Sequence, residues 1–372
     1  MQQEIKERIE LINKGMVPAG YKKTPVGISP VEWEISEIRK FLKIMHGQSQ
    51  HEVECKNGTY PILGTGGIIG NANSYLYDKP SILIGRKGTI DKPMFIDTPF
   101  WTIDTLFYSK IFDNVNIKYL FYIFKIINWL KYDDSTGVPS LSANTIENIK
   151  IIVSTNNLEQ QKIAEILDCA TRQVELQEQL VDKLKVQKKA LMQKLLTPQP
   201  DWQEVKLGDI CKITTGKLDA NEMVENGKYP FFTCSKDIYK IDKYAYDMEA
   251  LLMAGNGEIG DIKYYNGKFN AYQRTYILYN FTFNIKYAMQ YLLLHFNQAV
   301  CKGSQKSSMP YIRVDLLNNA KILYPQNLDQ IAIFLENFDK KIELQQKLLE
   351  QYKLRQKSLM QLLLTGIVRV CK

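Results

Sequence analysis

Leu191-Met-Gln-Lys-Leu-Leu-Thr197 closes a long stretch free of glycine and proline, and Leu359-Met-Gln-Leu-Leu-Leu-Thr365 closes a second one. Working back from these strings, Val174-Glu-Leu-Gln177 returns as Ile342-Glu-Leu-Gln345, and Asn116-Ile-Lys-Tyr119 recurs letter for letter as Asn284-Ile-Lys-Tyr287. Further back, Gly88-Thr-Ile90 matches Gly257-Glu-Ile259, Gly58-Thr-Tyr60-Pro61 matches Gly227-Lys-Tyr229-Pro230, Gly47 matches Gly216 and Trp33 matches Trp202. One offset of about 169 residues holds throughout, far longer than a solenoid period, so each copy is a whole domain plus a helix. A duplicated domain implies a pseudo-twofold molecule suited to gripping something with two similar halves.

Size and composition set the bounds. A chain of 372 residues has room for two or three domains, and 45% hydrophobic with 24% charged residues is ordinary for a globular protein with real cores. No apolar run reaches membrane-span length, and the opening Met1-Gln-Gln-Glu-Ile-Lys6 carries no apolar signal segment, so no membrane partner is expected. Cys55, Cys169, Cys211, Cys234, Cys301 and Cys371 are scattered without a C-x-x-C pair, which points to reduced thiols in a cytoplasm and away from structural zinc. The net charge of +8 suits a nucleic-acid partner without demanding one.

Punctuation divides the chain. A short helix is expected over Glu4 to Asn13, ended by Thr24-Pro25 and Ser29-Pro30. The first globular copy then shows short strands at Ile82 to Ile84, Met94 to Ile96 and Leu106 to Tyr108, with an amphipathic helix from Ile117 to Leu130. The second copy repeats this order, with its helix at Ile285 to Phe296. Mixed short strands with one or two helices make an α+β domain. Two long helices, Leu158 to Leu196 and Leu328 to Leu364, follow the copies. Leu180, Leu184, Leu191 and Leu195 follow a 4-7-4 heptad spacing, as do Leu348, Tyr352, Leu359 and Leu363. Each helix spans roughly 55 to 60 Å and cannot bury such a seam on a compact domain, so an antiparallel pairing of the two is expected.

Catalytic signatures are missing. There is no G-x-x-x-x-G-K-[ST] phosphate loop and no Asn- or Asp-Pro-Pro-aromatic motif of an amino-methyltransferase. Gly64-Thr-Gly66-Gly67-Ile-Ile-Gly70 misses the dinucleotide spacing and reads as a flexible turn. His46, His51 and His295 form no metal-binding pattern, and His295 reads as a packed residue. The chain reads as a binding protein, with no catalytic or metal residues.

Duplex DNA is itself pseudo-twofold, and each copy offers a polar, basic and aromatic loop set. Arg86-Lys87-Gly88 follows a strand as a hairpin tip, and its counterpart Gly255-Asn256-Gly257 keeps the glycine but loses the charges. Further candidates for DNA contact are Asn71, Asn73, Tyr75 and Lys92, with Lys131, Ser135 and Thr136 in the acidic loop Lys131 to Thr136. That loop's carboxylates either reach cytosine amino groups or face solvent. In the second copy the candidates are Ser235, Lys236, Asn256, Lys263, Gln273 and Arg274, with Lys302, Gln305 and Lys306 in the matching loop.

These strings resemble the specificity (S) subunits of Type I restriction–modification systems over nearly the whole chain. Lys6 to Gly15 through Pro18 to Gly27 and Trp33 looks like the family's leader. Leu158-Glu-Gln-Gln-Lys-Ile-Ala-Glu-Ile-Leu-Asp168 with Gln187 to Thr197 is similar to its central spacer helix, and Leu359 to Gly366 to its distal one. The second spacer departs by opening as Leu328-Asp-Gln-Ile-Ala332, two residues shorter and without the Gln-Lys pair. The resemblance implies a leader (1–30), a first target-recognition domain (31–153), a central spacer (154–200), a second target-recognition domain (201–323) and a distal spacer with tail (324–372). It implies a non-catalytic chain that reads a bipartite double-stranded DNA target and docks two methyltransferase subunits and restriction subunits. S-adenosylmethionine, ATP and magnesium are then cofactors of those partners and not of this chain. A duplicated protein-interaction scaffold without DNA specificity is the alternative, and it would bind no duplex in a salt-dependent way. If helix length acts as a ruler, adding or deleting one turn in both long helices changes the gap between half-sites and leaves each half-site intact. Methylome sequencing reads this directly, and an unchanged gap refutes the ruler.

Overall fold

The computed structural model of the chain describes residues 2–299 and 311–370. It consists of two compact units, residues 1–177 with 349–372, and residues 178–348. The first unit begins with α1 (Gln2–Asn13) and a hairpin of β1 (Tyr21–Thr24) and β2 (Gly27–Pro30). Then come β3 (Glu34–Glu37), β4 (Leu42–Met45), β5 (Tyr60–Gly64), β6 (Gly67–Ala72), β7 (Ser81–Gly85), β8 (Met94–Ile96), β9 (Trp101–Thr102) and β10 (Leu106–Ile111). The helices α2 (Ile117–Ile126) and α3 (Ala143–Asn148) and the strand β11 (Lys150–Val153) complete it, and α4 (Asn157–Leu196) starts there. The second unit contains β12 (Gln203–Lys206), α5 (Leu207–Ile210), β13 (Lys212–Thr215), β14 (Tyr229–Phe232), β15 (Ile238–Ile241), β16 (Tyr246–Ala254), β17 (Ile262–Ala271) and β18 (Thr275–Tyr279). It continues with α6 (Ile285–Ala299), α7 (Val314–Asn318), β19 (Lys321–Tyr324) and the first half of α8 (Leu328–Leu364). Lys302, Gln305 and Lys306 lie outside the described residues.

The internal repeat is a repeat of topology. In the first unit β3 pairs with β11, and the main sheet runs β4-β10-β7-β8. In the second, β12 pairs with β19, and the sheet runs β13-β18-β16-β17-β14-β15. β9 lies parallel to β5 with Ile62 opposite Trp101, and the end of β17 lies parallel to β14 with Phe231 opposite Asn270. The difference is continuity. β17 passes unbroken from one half of its sheet to the other, whereas Asp97-Thr98-Pro99 interrupts the path from β8 to β9 and leaves a separate β6-β5-β9 sheet. Proline has no N–H to give a ladder, so the break falls where the first copy carries Pro99 and the second Lys268.

The repeated glycines have a steric reason. A Cβ at Gly47 would run into the Ile103 carbonyl, and one at Gly216 into the Ala271 carbonyl. The repeated Asn-Ile-Lys-Tyr string caps and anchors a helix in each unit. The side-chain oxygen of Asn116 accepts from Tyr119 N at 3.0 Å, and that of Asn284 from Tyr287 N at 2.9 Å. Both tyrosines are fully buried, and each hydroxyl finds the neighbouring strand: Tyr119 accepts from Ser154 N, and Tyr287 donates to the Leu323 carbonyl. Helix α2 stops at Ile126, four residues short of the sequence expectation, because the buried Trp129 indole folds back and donates to the Phe124 carbonyl at 2.8 Å.

The long helices pair by halves. In the first unit Ile163, Leu167, Ala170, Val174 and Gln177 of α4 are buried at 4-3-4-3 spacing, and Thr171 meets Gln356 of α8 at 2.8 Å. Ile163, Ala164 and Leu167 share a core with Leu363 and Leu364, so the two segments run antiparallel. In the second unit Met192 and Leu196 share a core with Ile331, Ala332 and Leu335, and Lys188 meets Asp339 at 2.5 Å, again antiparallel. In the second unit Leu184 is buried and Leu191 and Leu195 are half-buried, and in the first Leu363 is buried and Tyr352 and Leu359 are half-buried. Leu180 is 40% exposed, and Val181 takes the buried position. Leu348 and its neighbour Leu349 are both half-buried. An α-helix returns to one face after alternating steps of three and four, so a 4-7-4 reading of leucines slips one residue off the face at its first member.

Each unit also ties its globular helix to this pairing through a short polar chain. Tyr122 OH of α2 lies 3.1 Å from Thr171 Oγ1, which accepts from Gln356. At the equivalent places in the second unit, Gln290 of α6 donates to Asp339 at 2.7 Å, and Asp339 also holds Lys188.

A second anchor closes the first unit. Glu159, at the start of α4, is fully buried and accepts from Trp33 Nε1 at 3.0 Å, from Ser154 Oγ at 2.6 Å and from Arg369 at 2.6 and 3.1 Å. Arg369 also reaches Glu32 at 2.6 Å, while Tyr21 OH donates to the Gly366 carbonyl at 2.6 Å and Arg8 to that of Ile367. Burial pushes the Glu159 carboxyl upward, but the donors from Arg369, Ser154 and Trp33 outweigh it and hold it below the usual range. A carboxylate held low stabilises the fold above its unfolded pKa and loses that contribution as the pH falls through the lowered value. Arg369→Ala therefore should cost about 3 kcal/mol at neutral pH, and less as the solution is acidified. Thermal denaturation at pH 7 and pH 4 checks this, and a pH-independent penalty contradicts it.

Candidate nucleic-acid interface

In the first unit three loops meet at the Gly85 end of β7. The turn Arg86-Lys87-Gly88 is pinned by Arg86 N to the Thr105 carbonyl at 2.8 Å, and its own carbonyl accepts from Leu141 N at 2.9 Å. Gly88 N donates to Pro139 O at 2.8 Å, which brings in the loop from Asp133 to Leu141. A Cβ on Gly88, whose φ is +99°, would meet Thr65 Oγ1 at 3.6 Å, so the tip of the β5–β6 hairpin leans on the same turn.

The second unit builds the same frame. Gly255 N donates to the Arg274 carbonyl at 3.0 Å, and its carbonyl accepts from Ile312 N at 2.9 Å. Glu258 N donates to Cys234 O, so the tip of the β14–β15 hairpin leans on the turn Gly255-Asn256-Gly257. The bonds that place the two turns are backbone-to-backbone, so the side chains of Lys87 and Asn256 vary without cost to them.

The side chains themselves fall into groups. Arg86, Lys87 and Lys92 stand exposed at one end of the main sheet, with Arg86 Nη1 donating to the Asp104 carbonyl at 3.2 Å. Thr136 is exposed beside them. Ser135 is half-buried and spent on loop structure: its N–H and hydroxyl donate to Asp133 Oδ1 at 3.0 and 2.8 Å, alongside Ser140 N at 2.9 Å. These donors, Ser140 N–H first, hold the Asp133 carboxyl below its ordinary value. Asp134 accepts from Thr145 at 3.1 Å. Both carboxylates of the acidic loop thus take part in the loop's own bonding, and Asp134 also faces solvent. Asn71, Asn73 and Tyr75 lie at the other end of the β5–β6 hairpin, where Asn73 N donates to Val53 O and Tyr75 packs edge-on to Tyr60. Lys131 borders a separate apolar cleft between α2, β11 and the end of α8.

In the second unit Arg274 and Gln273 are exposed and line a cleft with Gly255, Tyr276 and Tyr311. Gln273 also donates to Asp219 at 2.8 Å, and Tyr276 OH to the Ile312 carbonyl at 2.7 Å. Asn256 is half-buried at the turn. Lys236 pairs with Glu258 at 3.5 Å in the open, while Lys263 donates inward to the Ser235 carbonyl at 2.9 Å and to Asp261. Lys263 and Ser235 thereby brace the hairpin against β17. The exposed Ile68, Ile69 and Ile238 escaped the sequence reading, because a search for polar and aromatic readers passes over aliphatic residues. His295 packs against Tyr291 at 4.5 Å and lies 2.8 Å from the Leu196 carbonyl. Among the described residues no group of His, Cys, Asp or Glu is placed to hold a metal ion, and no helix is long and apolar enough to cross a membrane.

Comparison with known proteins assigns this architecture to a class. The family model of the Type I restriction modification DNA specificity domain matches twice, over residues 30–186 and 199–354, one match for each copy. The chain is 27% identical over 419 aligned positions to the Type I restriction enzyme MjaVIII specificity subunit of Methanocaldococcus jannaschii, covering 92% of this chain and 94% of that one. It is 42% identical over 134 residues to the EcoDI specificity subunit of Escherichia coli, a match that spans 36% of this chain and 30% of that protein. The crystal structure of a Type I restriction–modification S subunit from M. genitalium superposes with a TM-score of 0.70 at 18% identity, over 89% of this chain and 96% of that one. A chain from a structure of Type I restriction–modification complex assembly and conformational transition shares the fold at a TM-score of 0.51 and 11% identity, over 91% of this chain and 99% of that one.

The chain belongs to the Type I restriction–modification DNA specificity family. Its function is DNA target recognition in such a system. Lys87→Ala should lower the slope of log affinity against log salt by about one, as loss of one phosphate contact does. A salt titration of duplex binding measures this, and an unchanged slope removes Lys87 from the interface.

Proposed function

We propose that the chain is the non-catalytic reading subunit of a cytoplasmic Type I restriction–modification complex, in which each copy reads one half of a split DNA target. The observation that carries this reading is the loop frame, alike in backbone bonding in both units and unlike in side chains. One copy offers Arg86 and Lys87 at the turn where the other offers Gly255 and Asn256. Identical frames with different tips suit two different half-sites.

The partners follow from a second recurrence. Beside their buried stripe, α4 and α8 expose apolar side chains at equivalent positions: Ile166 and Phe334, Leu176 and Leu344, Val186 and Leu354. The last pair is 69% and 67% exposed. Such side chains are normally covered in an assembly. Exposed apolar side chains that recur in both long helices suit two copies of one methyltransferase subunit. S-adenosylmethionine serves the methyltransferase, and ATP and magnesium serve the restriction subunits, which join the same core. Chemistry on DNA is then the partners' task.

Exchanging residues 31–153 for the first domain of another family member should change one half of the methylated sequence and leave the other half and the gap alone. Methylome sequencing of a strain carrying the chimaera with its methyltransferase reads the outcome. A target altered in both halves, or in neither, contradicts the division of labour.

A further inference from the structure

The two hairpins that lean on the reading loops share a feature unusual for a polyanion-binding edge. In the β5–β6 hairpin the inner strand buries Ile62 and Leu63, while the outer strand exposes Ile68 at 70% and Ile69 at 53%. Consecutive strand residues normally face opposite sides. Here the register shifts between Ile62 and Leu63, so that Ile62 faces Gly70, Leu63 faces Ile68, and Ile69 is left unpaired as a bulge. In the β14–β15 hairpin Phe231 and Phe232 are buried inside, and Ile238, the repeat equivalent of Ile69, is 50% exposed. An exposed isoleucine thus stands at the same repeat offset on the outer strand of both hairpins, as a bulge in the first and opposite Phe232 in the second.

Charged residues of both signs surround it, and Glu225 and Lys240 line one cleft with Ile238. The tip of the first hairpin touches the turn bearing Arg86 and Lys87. Ile238 lies between the exposed Lys236 and Lys240, with Asp237 beside it and Glu258 paired to Lys236. An apolar point with a cation within reach, Arg86 and Lys87 by the first hairpin and Lys240 on the second, matches a surface that is anionic at its walls and locally apolar on its floor. The major groove is such a surface: phosphates line it, the thymine 5-methyl group projects from its floor, and it admits a two-stranded β-ribbon.

We infer that each hairpin enters the major groove of one half-site and that Ile69 and Ile238 each rest on a thymine methyl group. The inference rests on the DNA-reading function proposed above and adds the base to which each hairpin responds. These two residues then determine specificity by apolar contact, with Arg86 and Lys87 beside the first hairpin and Lys240 on the second holding the phosphates.

The test uses the full chain assembled with its methyltransferase. The two half-sites are first identified by methylome sequencing, and duplexes are then made with each thymine in turn replaced by deoxyuridine, which lacks only the methyl group. The wild-type complex should lose about fourfold in affinity at one position in each half-site, the value of one buried methyl group. Ile69→Ala should show that loss on the unmodified target, become indifferent to uracil in the first half-site and keep its response in the second. Ile238→Ala should do the reverse. The salt slope should stay at the wild-type value in both variants, since no phosphate contact is removed. A half-site without an A·T pair overturns the inference, as does unchanged uracil sensitivity in both variants. A complex that binds no duplex in a salt-dependent way fails the DNA-reading function itself, which is a separate result.

Discussion

The structure depends on one constraint: α4 has 40 residues and α8 has 37, and each carries an apolar stripe along its length. A helix of that kind is not stable on its own in water, because most helical stability in proteins comes from covering an apolar face. Each half of α4 therefore packs with a half of α8 inside a unit, and the globular elements are built onto those pairs. The buried stripe does not by itself select one register, since a heptad can slip by seven. The polar chains from Tyr122 through Thr171 to Gln356, and from Gln290 through Asp339 to Lys188, supply the missing choice. A slipped register would leave a hydroxyl and an amide in the first unit, or a carboxylate and an ammonium in the second, without a partner, which costs more than the bond contributes when made.

Much of this was legible in the letters because repetition isolates what the backbone needs. Gly47 and Gly216 recur because a carbonyl passes where their Cβ would sit, and the Asn-Ile-Lys-Tyr string recurs because it caps a helix and sends a tyrosine to the next strand. The strands at Ile82, Met94 and Leu106 are found where alternation and β-branching placed them. What escaped has equally physical causes. The slip from Val181 to Leu180 came from following leucines where the face follows angle. The early end of α2 is decided by an indole five residues beyond its acceptor, a contact that no periodicity encodes. The Gly64 to Gly70 string reads as flexible from its glycines, yet it forms a paired hairpin because its inner strand has a core to cover. At the interface the letters found the turn at Arg86 to Gly88 but could not tell an outward lysine from Lys263, whose ammonium is drawn inward by Ser235 and Asp261.

The two copies also show how one fold accommodates different sheets. Pro99 splits the first copy's strand path and frees the β6-β5-β9 sheet from the main one, while the second copy runs through on β17. The turn nevertheless joins the loop behind it in the same way in both, because that junction is fixed by backbone bonds at Arg86, Leu141, Gly255 and Ile312 and not by the continuity of the sheet.

The backbone bonding of those loops has a consequence for how such a protein can change. Peptide groups carry the frame and side chains carry the message, so substitution at a tip is nearly neutral for folding while it alters what is read. The marginal stability that makes most functional change hazardous is here largely separated from the positions where function resides. A duplicated chain of this design can drift toward new targets one half at a time, each step staying within a folded protein.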